Sequence, residues 1–438
     1  MKHYKLFQRM GLLLLTCLLI GCEPPVAIFV TTLPSTPLPT VSSTLQPSTE
    51  TTTTPLPPSD QQITPTVPFQ PPPCQLGRDS IPPQVAPLPL TAYEFSEPRI
   101  VLTHTSAIDI AGWLPDGHRL LITRRILQQP RHYVEIFDVQ TGETRRYGEG
   151  SAIGTLNGAN KPIWLDDEQA VAYADFSSDN QTVLRINRGE GELVEDAVTG
   201  LASPHLAASL DGSQAIYFSA EDKERPQVFD LAQSRTRSLA IDLHLPVQDT
   251  PSADYLAHYQ IAPHPDGNQI AFYNNSAFYL ADTSNGQACE LDLGMYGGRK
   301  QWAVSAHWSP DGRYLAAFTV IGDPVFSFTD LALIDTITGE RHSIDLEMRY
   351  FYTLVWDPNS RNALVIATDF SEQVLHRLYL VDVITGNYRP VLQDYPFRNS
   401  GNWGVAWSNQ GYIALGCPVL TSDRSLEGRL CIIAVETK

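Results

Sequence analysis

The chain has 438 residues, with 30 lysines and arginines against 48 aspartates and glutamates and a formal net charge of −18. A chain this acidic is a poor candidate for nucleic-acid binding, which needs a basic face, and it offers no polybasic patch for lipid headgroups. The sequence contains no phosphate-binding glycine loop, serine-hydrolase elbow, zinc-protease motif or EF-hand loop, and we expect no cofactor.

Residues 1–21 have the pattern of a signal peptide. Lys2, Lys5 and Arg9 make a basic start, and the apolar run that follows is shorter than the roughly 20 residues that span a bilayer. The run ends at residues 19–22, Leu-Ile-Gly-Cys, which resemble the lipobox of bacterial lipoproteins. The resemblance implies lipidation of Cys22 with acyl groups such as palmitate. The alternative is an ordinary cleaved signal peptide with an incidental cysteine.

Residues 22–90 have the composition of a stalk. Between residues 23 and 90 lie 18 of the 34 prolines, interspersed with threonine and serine. Such a segment buries too little apolar surface to fold, so we predict an extended, disordered linker behind the lipidated cysteine. Together the two segments predict a protein anchored to a bacterial cell membrane or outer membrane and facing its extracytoplasmic side.

Residues 91–438 contain a short phrase that returns seven times, at intervals of 44 to 55 residues. The clear copies, of the form x-x-Pro-Asp-Gly, begin at Trp113, Pro263 and Trp308, and the degraded copies begin at Trp164, Ala208, Trp356 and Trp407. A fixed period of this size indicates a repeat protein whose units bury their apolar faces against one another.

Each copy of the phrase has the residues of a tight turn between two apolar runs. Proline presets the second turn position, aspartate bonds back to the backbone and glycine takes the left-handed conformation. A third apolar run ends on an aspartate, and a Thr-Gly or Asn-Gly turn then leads to a fourth strand. Four antiparallel strands per repeat form a propeller blade. The sequence therefore predicts an all-β fold, a β-propeller of seven four-stranded blades, with six left open by the degraded copies.

The last repeat has no chain left for a fourth strand, because its third apolar run, residues 430–435, nearly reaches the C-terminus. Residues 98–103, just before the first blade, would fill the gap and close the ring, which removes an open sheet edge. The alternative is a loose N-terminal arm.

The Trp-x-Pro-Asp-Gly turn, followed by an apolar strand and a later Asp-x-x-Thr-Gly, resembles the TolB-like, WD40-like (PD40) propeller repeat. The resemblance covers roughly residues 93–438, and related repeats occur in the propeller domains of prolyl-oligopeptidase-like enzymes. It implies the fold and leaves the activity open, since such propellers host unrelated functions.

The loops that lead into the first strands of blades five, six and seven combine aromatic, arginine and asparagine residues, which is typical of binding hot spots. We expect these loops to gather at one end of the ring, although their aromatics would also suit a cap on the core. The candidate ligand-binding residues are Tyr296, Arg299, Trp302, Arg349, Tyr352, Arg398, Asn402 and Trp403. This interpretation predicts a monomeric binding or scaffold module, with no catalytic role, for a protein, glycan or cell-envelope partner.

Three histidines carry the enzymatic alternative. His205, His264 and His307 lie on or beside the first strands of three successive blades, and strand alternation puts them on one face. Some TolB-like lyases acting on uronate sugars hold a divalent metal with channel histidines, so the resemblance implies a polysaccharide lyase or glycosidase as the second candidate. The competing interpretation is histidines with ordinary structural or solvent contacts.

Four cysteines follow Cys22. Cys417 and Cys431 flank the hairpin between the second and third strands of blade seven, so we predict a cross-strand disulfide in an oxidising compartment. Two reduced, buried cysteines are the alternative. Cys74 paired with Cys289 would tie the stalk to the propeller.

Overall fold

The computed structural model describes residues 88–438 except for 127–130, 151–160, 167–168, 180, 190–194, 203–204, 210–211, 223–224, 240, 242–259, 274–277, 284, 297–298, 321–328, 345–349, 359–360, 370–374, 394–396, 399–403 and 421–425. The chain divides into two units, Met1–Pro72 and Pro73–Lys438. The predicted signal peptide, Cys22 and almost all of the predicted stalk lie outside the described residues, so those assignments stay predictions.

The described part of the second unit is a β-propeller of seven antiparallel blades, as the sequence predicts. One turn of 3-10 helix, Leu90–Ala92, precedes the strands. Two strands before the first blade are β1 (Tyr93–Phe95) and β2 (Arg99–His104). Blade one consists of β3 (Ile108–Trp113), β4 (Arg119–Arg125), β5 (His132–Asp138) and β6 (Thr144–Gly150). Blade two consists of β7 (Ile163–Leu165), β8 (Ala170–Phe176), β9 (Thr182–Asn187) and β10 (Glu195–Thr199).

The next three blades repeat this order. Blade three consists of β11 (Ala207–Ala208), β12 (Gln214–Phe218), β13 (Pro226–Asp230) and β14 (Arg235–Ser238). Blade four consists of β15 (Gln260–Pro263), β16 (Gln269–Tyr273), β17 (Phe278–Asp282) and β18 (Ala288–Glu290). A hairpin of β19 (Met295–Tyr296) and β20 (Arg299–Lys300) precedes blade five, which consists of β21 (Trp302–Trp308), β22 (Tyr314–Val320), β23 (Thr329–Asp335) and β24 (Arg341–Ile344).

The last two blades carry additional short strands. Blade six consists of β25 (Tyr350–Trp356), β26 (Asn362–Asp369), β27 (Leu375–Asp382) and β28 (Tyr388–Val391), with β29 (Phe397–Arg398) added to β27. Blade seven contains β30 (Val405–Trp407), β31 (Tyr412–Gly416), β32 (Val419–Leu420) and β33 (Leu426–Thr437), of which β32 pairs with the start of β33.

The repeated turns have the geometry that their residues predict. Gly117 and Gly312 have φ angles of 73° and 68°, in the left-handed region that glycine adopts without steric cost. In the same two turns, Asp116 and Asp311 accept the backbone N–H two residues onward, at 3.0 and 3.1 Å. The repeated aspartates are therefore turn residues that join the first and second strands.

Apolar side chains from neighbouring blades form the core. Every residue of β22 is buried, because one face of the strand packs on blade four and the other packs on blade six. Leu315 lies in the cluster shared with Leu280, whereas Phe318 lies in the cluster shared with Val365. A strand that is buried on both faces has apolar residues at every position. This explains the continuous apolar segments on either side of each repeated turn.

Three of the repeat tryptophans connect adjacent blades. The indole Nε1 of Trp113 donates to the carbonyl oxygen of Ala406 at 3.0 Å, and that of Trp308 donates to the carbonyl oxygen of Ala262 at 2.8 Å. Trp356 likewise donates to His307 O at 3.2 Å. Each bond runs from the first strand of a blade to the first strand of the blade before it, so the tryptophans set the spacing of the ring.

The N-terminal strands close the ring on blade seven. Strand β2 pairs antiparallel with β33, from Arg99 opposite Ile432 to His104 opposite Gly428, and β1 pairs with the end of β33. The strand predicted at residues 98–103 is confirmed and is extended by β1, which the sequence did not indicate. The outer edge of β33 is thereby covered, which removes a template for aggregation.

Candidate functional site

The two rims of the ring are built differently. Strands alternate in direction within a blade, so the first and third strands begin at one edge, here called the front rim, and the repeated turns lie at the opposite edge, the turn rim. Turns of successive blades hold one another: Arg361 Nε donates to Asp311 Oδ2 at 2.9 Å, and Gln410 Nε2 donates to Asp116 O at 2.6 Å. The turn rim is thus occupied with holding the ring together.

The front rim carries the additional β-structure of blades five, six and seven. The β19–β20 hairpin leads directly into β21, β29 pairs with the first residues of β27, and β32 pairs with the first residues of β33. All three additions therefore lie where first or third strands begin. Additions to a repeat on one face are typical of a binding face.

The backbone of five predicted binding residues lies in or beside these additions. Tyr296 and Arg299 oppose each other in the hairpin, Trp302 begins β21, Arg398 pairs with the first residue of β27, and Tyr352 is the third residue of β25. The predicted gathering of the loops at one end of the ring agrees with this placement. Their side chains lie outside the described residues, as do the whole of Arg349, Asn402 and Trp403.

Tyr352 occupies a β-bulge. Phe351 pairs with Ala367 and Thr353 pairs with the adjacent Ile366, so Tyr352 is the extra residue on its strand. Bulges bend a strand and redirect a side chain, and they are frequent beside functional sites. The sequence alone gave no signal for this bulge, because it depends on the register between two strands.

His264 belongs to the turn rim. Its ring Nε2 lies 2.7 Å from Gly312 O, its Nδ1 lies against the Asp266 carboxylate, and its ring meets the Trp308 indole edge-on at 4.5 Å between centroids. The alternation argument therefore does not hold for this residue, because the turn carries its ring toward blade five. His205 and His307, in contrast, line the central channel.

The structure does not bring together the three histidines of the enzymatic alternative. Within the described ranges, no group of three or more His, Cys, Asp or Glu side chains has the arrangement of a metal site. With His264 engaged by Gly312 and Asp266, a shared centre of the three histidines would require the turn to be rebuilt. The described residues therefore do not supply the three-histidine metal site on which the lyase alternative was based.

The central channel forms a cavity of about 610 Å³ that is lined by residues from all seven blades. Lys161 from blade two, His205 from blade three and Ser305 and His307 from blade five supply polar groups. Most of the remaining lining is alanine, proline, isoleucine, leucine and valine. The volume falls within the range of about 300–1,000 Å³ that is usual for small-molecule sites.

Lys161 lines the front end of this channel, and its charge acts on the buried carboxyl group of Asp109. Asp109 is the second residue of β3, and Lys161 Nζ lies 3.3 Å from the position that a Cβ on Gly404 would take, just before β30. Burial raises the pKa of Asp109 to about 7, against the opposing effects of the Lys161 charge and a Thr123 hydrogen bond. Burial also lowers the pKa of Lys161, and the Asp109 charge partly offsets that effect. The pair was missed by sequence reasoning because it belongs to no motif.

The Lys161 charge also affects the pKa of His307, which lies on blade five, across the ring. Burial, and to a smaller degree the Lys161 charge, lowers the pKa of His307 to about 4. The imidazole is therefore neutral at physiological pH, and Lys161 supplies the positive charge of the channel.

Cys417 and Cys431 form a disulfide with Cα atoms 5.9 Å apart, next to the β32 addition. Cys289, on β18, is also disulfide-bonded. Cys74, its predicted partner, lies outside the described residues. Among the described residues, no helix has the length and apolar character needed to cross a membrane.

Comparison with known proteins gives a fold and no family. No family model and no curated protein matches the chain. Among solved structures, it is similar to an oligogalacturonate lyase from Vibrio parahaemolyticus, with 11% identity, a TM-score of 0.50 and 78% of this chain and 98% of that chain covered. It is also similar to TolB from Acinetobacter baumannii, with 14% identity, a TM-score of 0.38 and 70% and 79% covered.

A manganese-bound oligogalacturonate lyase matches with 13% identity, a TM-score of 0.49 and 79% of this chain and 98% of that chain covered. The shared feature is the β-propeller fold. The seven antiparallel blades confirm the propeller fold that the resemblance to TolB-type repeats implies. Identities this low show nothing about ligand or chemistry, so the similar structures do not decide between binding and catalysis.

Proposed function

We propose that the protein is an extracytoplasmic binding module, held at the bacterial envelope by a lipid on Cys22, whose front rim receives a protein or cell-envelope glycan. The proposal is supported chiefly by one observation: the β19–β20 hairpin, β29 and β32 all extend blades five to seven at the front rim. Residues of the turn rim make contacts between neighbouring blades. The front rim is therefore the surface that can accept additional residues for binding without disturbing the ring.

The chemistry of the additions supports a recognition role. They carry Tyr296, Arg299, Trp302 and Arg398 on a chain of net charge −18. Aromatic rings provide contact area at low entropic cost, and arginine recognises carboxylates and phosphates through paired hydrogen bonds. A partner with anionic or carbohydrate-like groups fits this composition.

The rim is tested by site-specific photo-crosslinking in cells, with the crosslinker at residue 302 on the front rim or at residue 145 near the turn rim. We expect adducts from position 302 alone, and binding of the purified protein to an array of envelope glycans and peptidoglycan fragments if the partner is a glycan. Trp302→Ala or Arg398→Ala should weaken that binding by about 2 kcal/mol or more, as is usual for hot-spot residues.

Arg145→Ala is the matched control, because Arg145 is an exposed arginine at the start of β6, beside the turn rim. It should leave binding unchanged. Equal crosslinking from both positions, or equal losses from Arg398→Ala and Arg145→Ala, would contradict the assignment of the front rim.

The anchor is tested separately. Cys22→Ala should leave an unlipidated precursor, whereas the wild type should partition into detergent with acyl mass on its N-terminal cysteine, since two or more acyl chains give stable anchoring. Wild-type protein recovered from the soluble culture fraction without acyl mass would refute the lipid anchor and leave the rim proposal intact.

A further inference from the structure

The central channel contains a second feature that the rim proposal does not use. We propose that its front end binds the carboxylate of a small, largely apolar acid, with the Lys161 ammonium as the counterion. The site is distinct from the rim additions and does not depend on the rim partner.

The Lys161 ammonium has no ion-pair partner among the described residues. Across the part of the chain that the structure describes, no carboxylate lies within 4.0 Å of its ammonium group. Among the described residues that line the cavity, Lys161 is the single aspartate, glutamate, lysine or arginine. A charge enclosed by protein on most sides is stabilised when an opposite charge joins it, so the cavity favours one anionic group.

Two further polar groups, one lining the same cavity and one acted on by the Lys161 charge, have unused hydrogen-bonding capacity among the described residues. Ser305 is 5% exposed and lines the cavity, and its Oγ has no hydrogen-bond partner among the described residues. Asp109 is 7% exposed, and its Oδ2 likewise has none there. Buried polar atoms are rarely left unpaired, and a ligand is one usual explanation. A carboxylate would accept from the Ser305 hydroxyl and from the lysine.

The other side chains that line the cavity indicate which kind of acid it would bind. Ile163, Leu206, Leu354 and Val405 contribute apolar surface, and the cavity of about 610 Å³ has room for one small molecule. A sugar acid would have to pair every hydroxyl group with the few polar side chains of the lining, such as Gln260, Tyr273 and Thr353, and each hydroxyl left unpaired costs about 1–3 kcal/mol. The lining therefore favours an aliphatic or aromatic monocarboxylate over a uronate.

Asp109 makes the site dependent on pH. Below its pKa of about 7 the buried carboxyl is neutral, and the Lys161 charge is free to attract an anion. Above that pH the Asp109 carboxylate competes with the ligand for the same ammonium. Burial lowers the pKa of Lys161, and loss of its proton would act in the same direction, whereas His307 stays neutral throughout. Affinity for the acid should therefore fall between pH 6 and pH 8.

The test is calorimetric titration of the purified propeller with hexanoate and 4-phenylbutyrate, with their primary amides and glucuronate for comparison. We expect the acids to bind at pH 6 at least about tenfold more tightly than the amides, the usual worth of a charge-assisted hydrogen bond. Lys161→Met keeps the apolar stem and should remove this preference, whereas Lys438→Met, at an exposed position, should retain it.

Melting temperatures of both variants show whether the fold is retained. Asp109→Asn provides a second test, because it removes the competing carboxylate and should reduce the fall in affinity for the acids between pH 6 and pH 8. Equal affinity for acids and amides, tighter binding of glucuronate, or retention of the preference by Lys161→Met would each overturn the proposal. None of these outcomes affects the crosslinking at the front rim, so the two proposals fail separately.

Discussion

The hydroxyl of Tyr93 donates a hydrogen bond of 2.6 Å to Oδ2 of Asp357, a residue 264 positions later in the chain. Tyr93 itself is 3% exposed, and Asn362 Nδ2 donates to the same hydroxyl oxygen at 2.9 Å. The backbone of Tyr93 meanwhile pairs with Thr437 on blade seven. One residue near the start of the propeller therefore joins blade six to blade seven, in addition to the closing strand β2.

Deletion of residues 93–104 should destabilise the propeller far more than deletion of residues 26–73. The first deletion removes β1 and β2 and exposes the outer edge of β33, whereas the second removes predicted stalk. The free energy of unfolding, measured by denaturant titration, checks this, and equal values for the two truncations would contradict closure. Tyr93→Phe, which removes only the hydroxyl, should cost about 1–2 kcal/mol.

Gly312→Ala should be more damaging than Gly386→Ala. Both glycines have left-handed φ angles, of 68° and 71°, so alanine costs about 1–2 kcal/mol at either position. At Gly312 the new methyl group would also collide with the His264 ring, whereas at Gly386 it would meet open space. We expect Gly312→Ala to cost at least about 2 kcal/mol more, by thermal unfolding. Similar losses for the two variants would show that the turn-to-turn contact contributes little.

The fold was largely predictable because the turns and strands of each blade are determined by short stretches of sequence. A turn such as residues 308–312 specifies its own backbone, and the runs on either side of it are apolar because both faces of strands such as β22 are covered. Closure by β2 was also predictable, from an incomplete last blade. The anchoring role of Tyr93 was not, because Asp357 and Asn362 are distant in sequence and show no repeat.

The site was less predictable for the same reason. The loop composition pointed to the rim where β19, β20 and β29 lie, yet Lys161 and Asp109 become neighbours only when blades one and two are side by side. His264 shows the opposite error: its position by strand alternation indicated the channel, whereas the turn directs its ring to Gly312. The repeated residues determine the architecture. The role of a residue that departs from the repeat can be assigned only from the structure, because it depends on contacts between blades.

Removal of the Cys417–Cys431 disulfide should lower stability with little change in fold. The bridge joins residues 14 positions apart, and closing a loop of about that size contributes about 3 kcal/mol in the chain-entropy account. The double variant Cys417→Ala with Cys431→Ala avoids a free thiol and leaves Cys289 untouched. Its unfolding midpoint in denaturant should fall while the β-sheet circular dichroism is retained. An unchanged midpoint would mean that strand pairing alone holds this hairpin.

Asp109 should make the wild-type propeller less stable as pH rises. Burial raises its pKa from 3.8 to about 7, so the folded chain holds a proton that the unfolded chain releases between those values. Folding must therefore take up a proton in that window, and the contribution of Asp109 to stability falls as pH rises from about 4 to about 7. Asparagine does not titrate, and it retains a polar group beside Thr123.

Asp109→Asn should accordingly unfold at a higher denaturant concentration than the wild type at pH 8, by up to about 4 kcal/mol, at about 1.4 kcal/mol for each unit of pKa shift. At pH 4 the two proteins should differ little, since Asp109 is protonated in the folded state. Asp116→Asn serves as the control, because hydrogen bonds from His118 and Arg119 hold the pKa of Asp116 below its usual range, so its loss should cost stability at pH 8. A stability difference between wild type and Asp109→Asn that is constant from pH 4 to pH 8 would show that Asp109 is ionised throughout and already paired with Lys161.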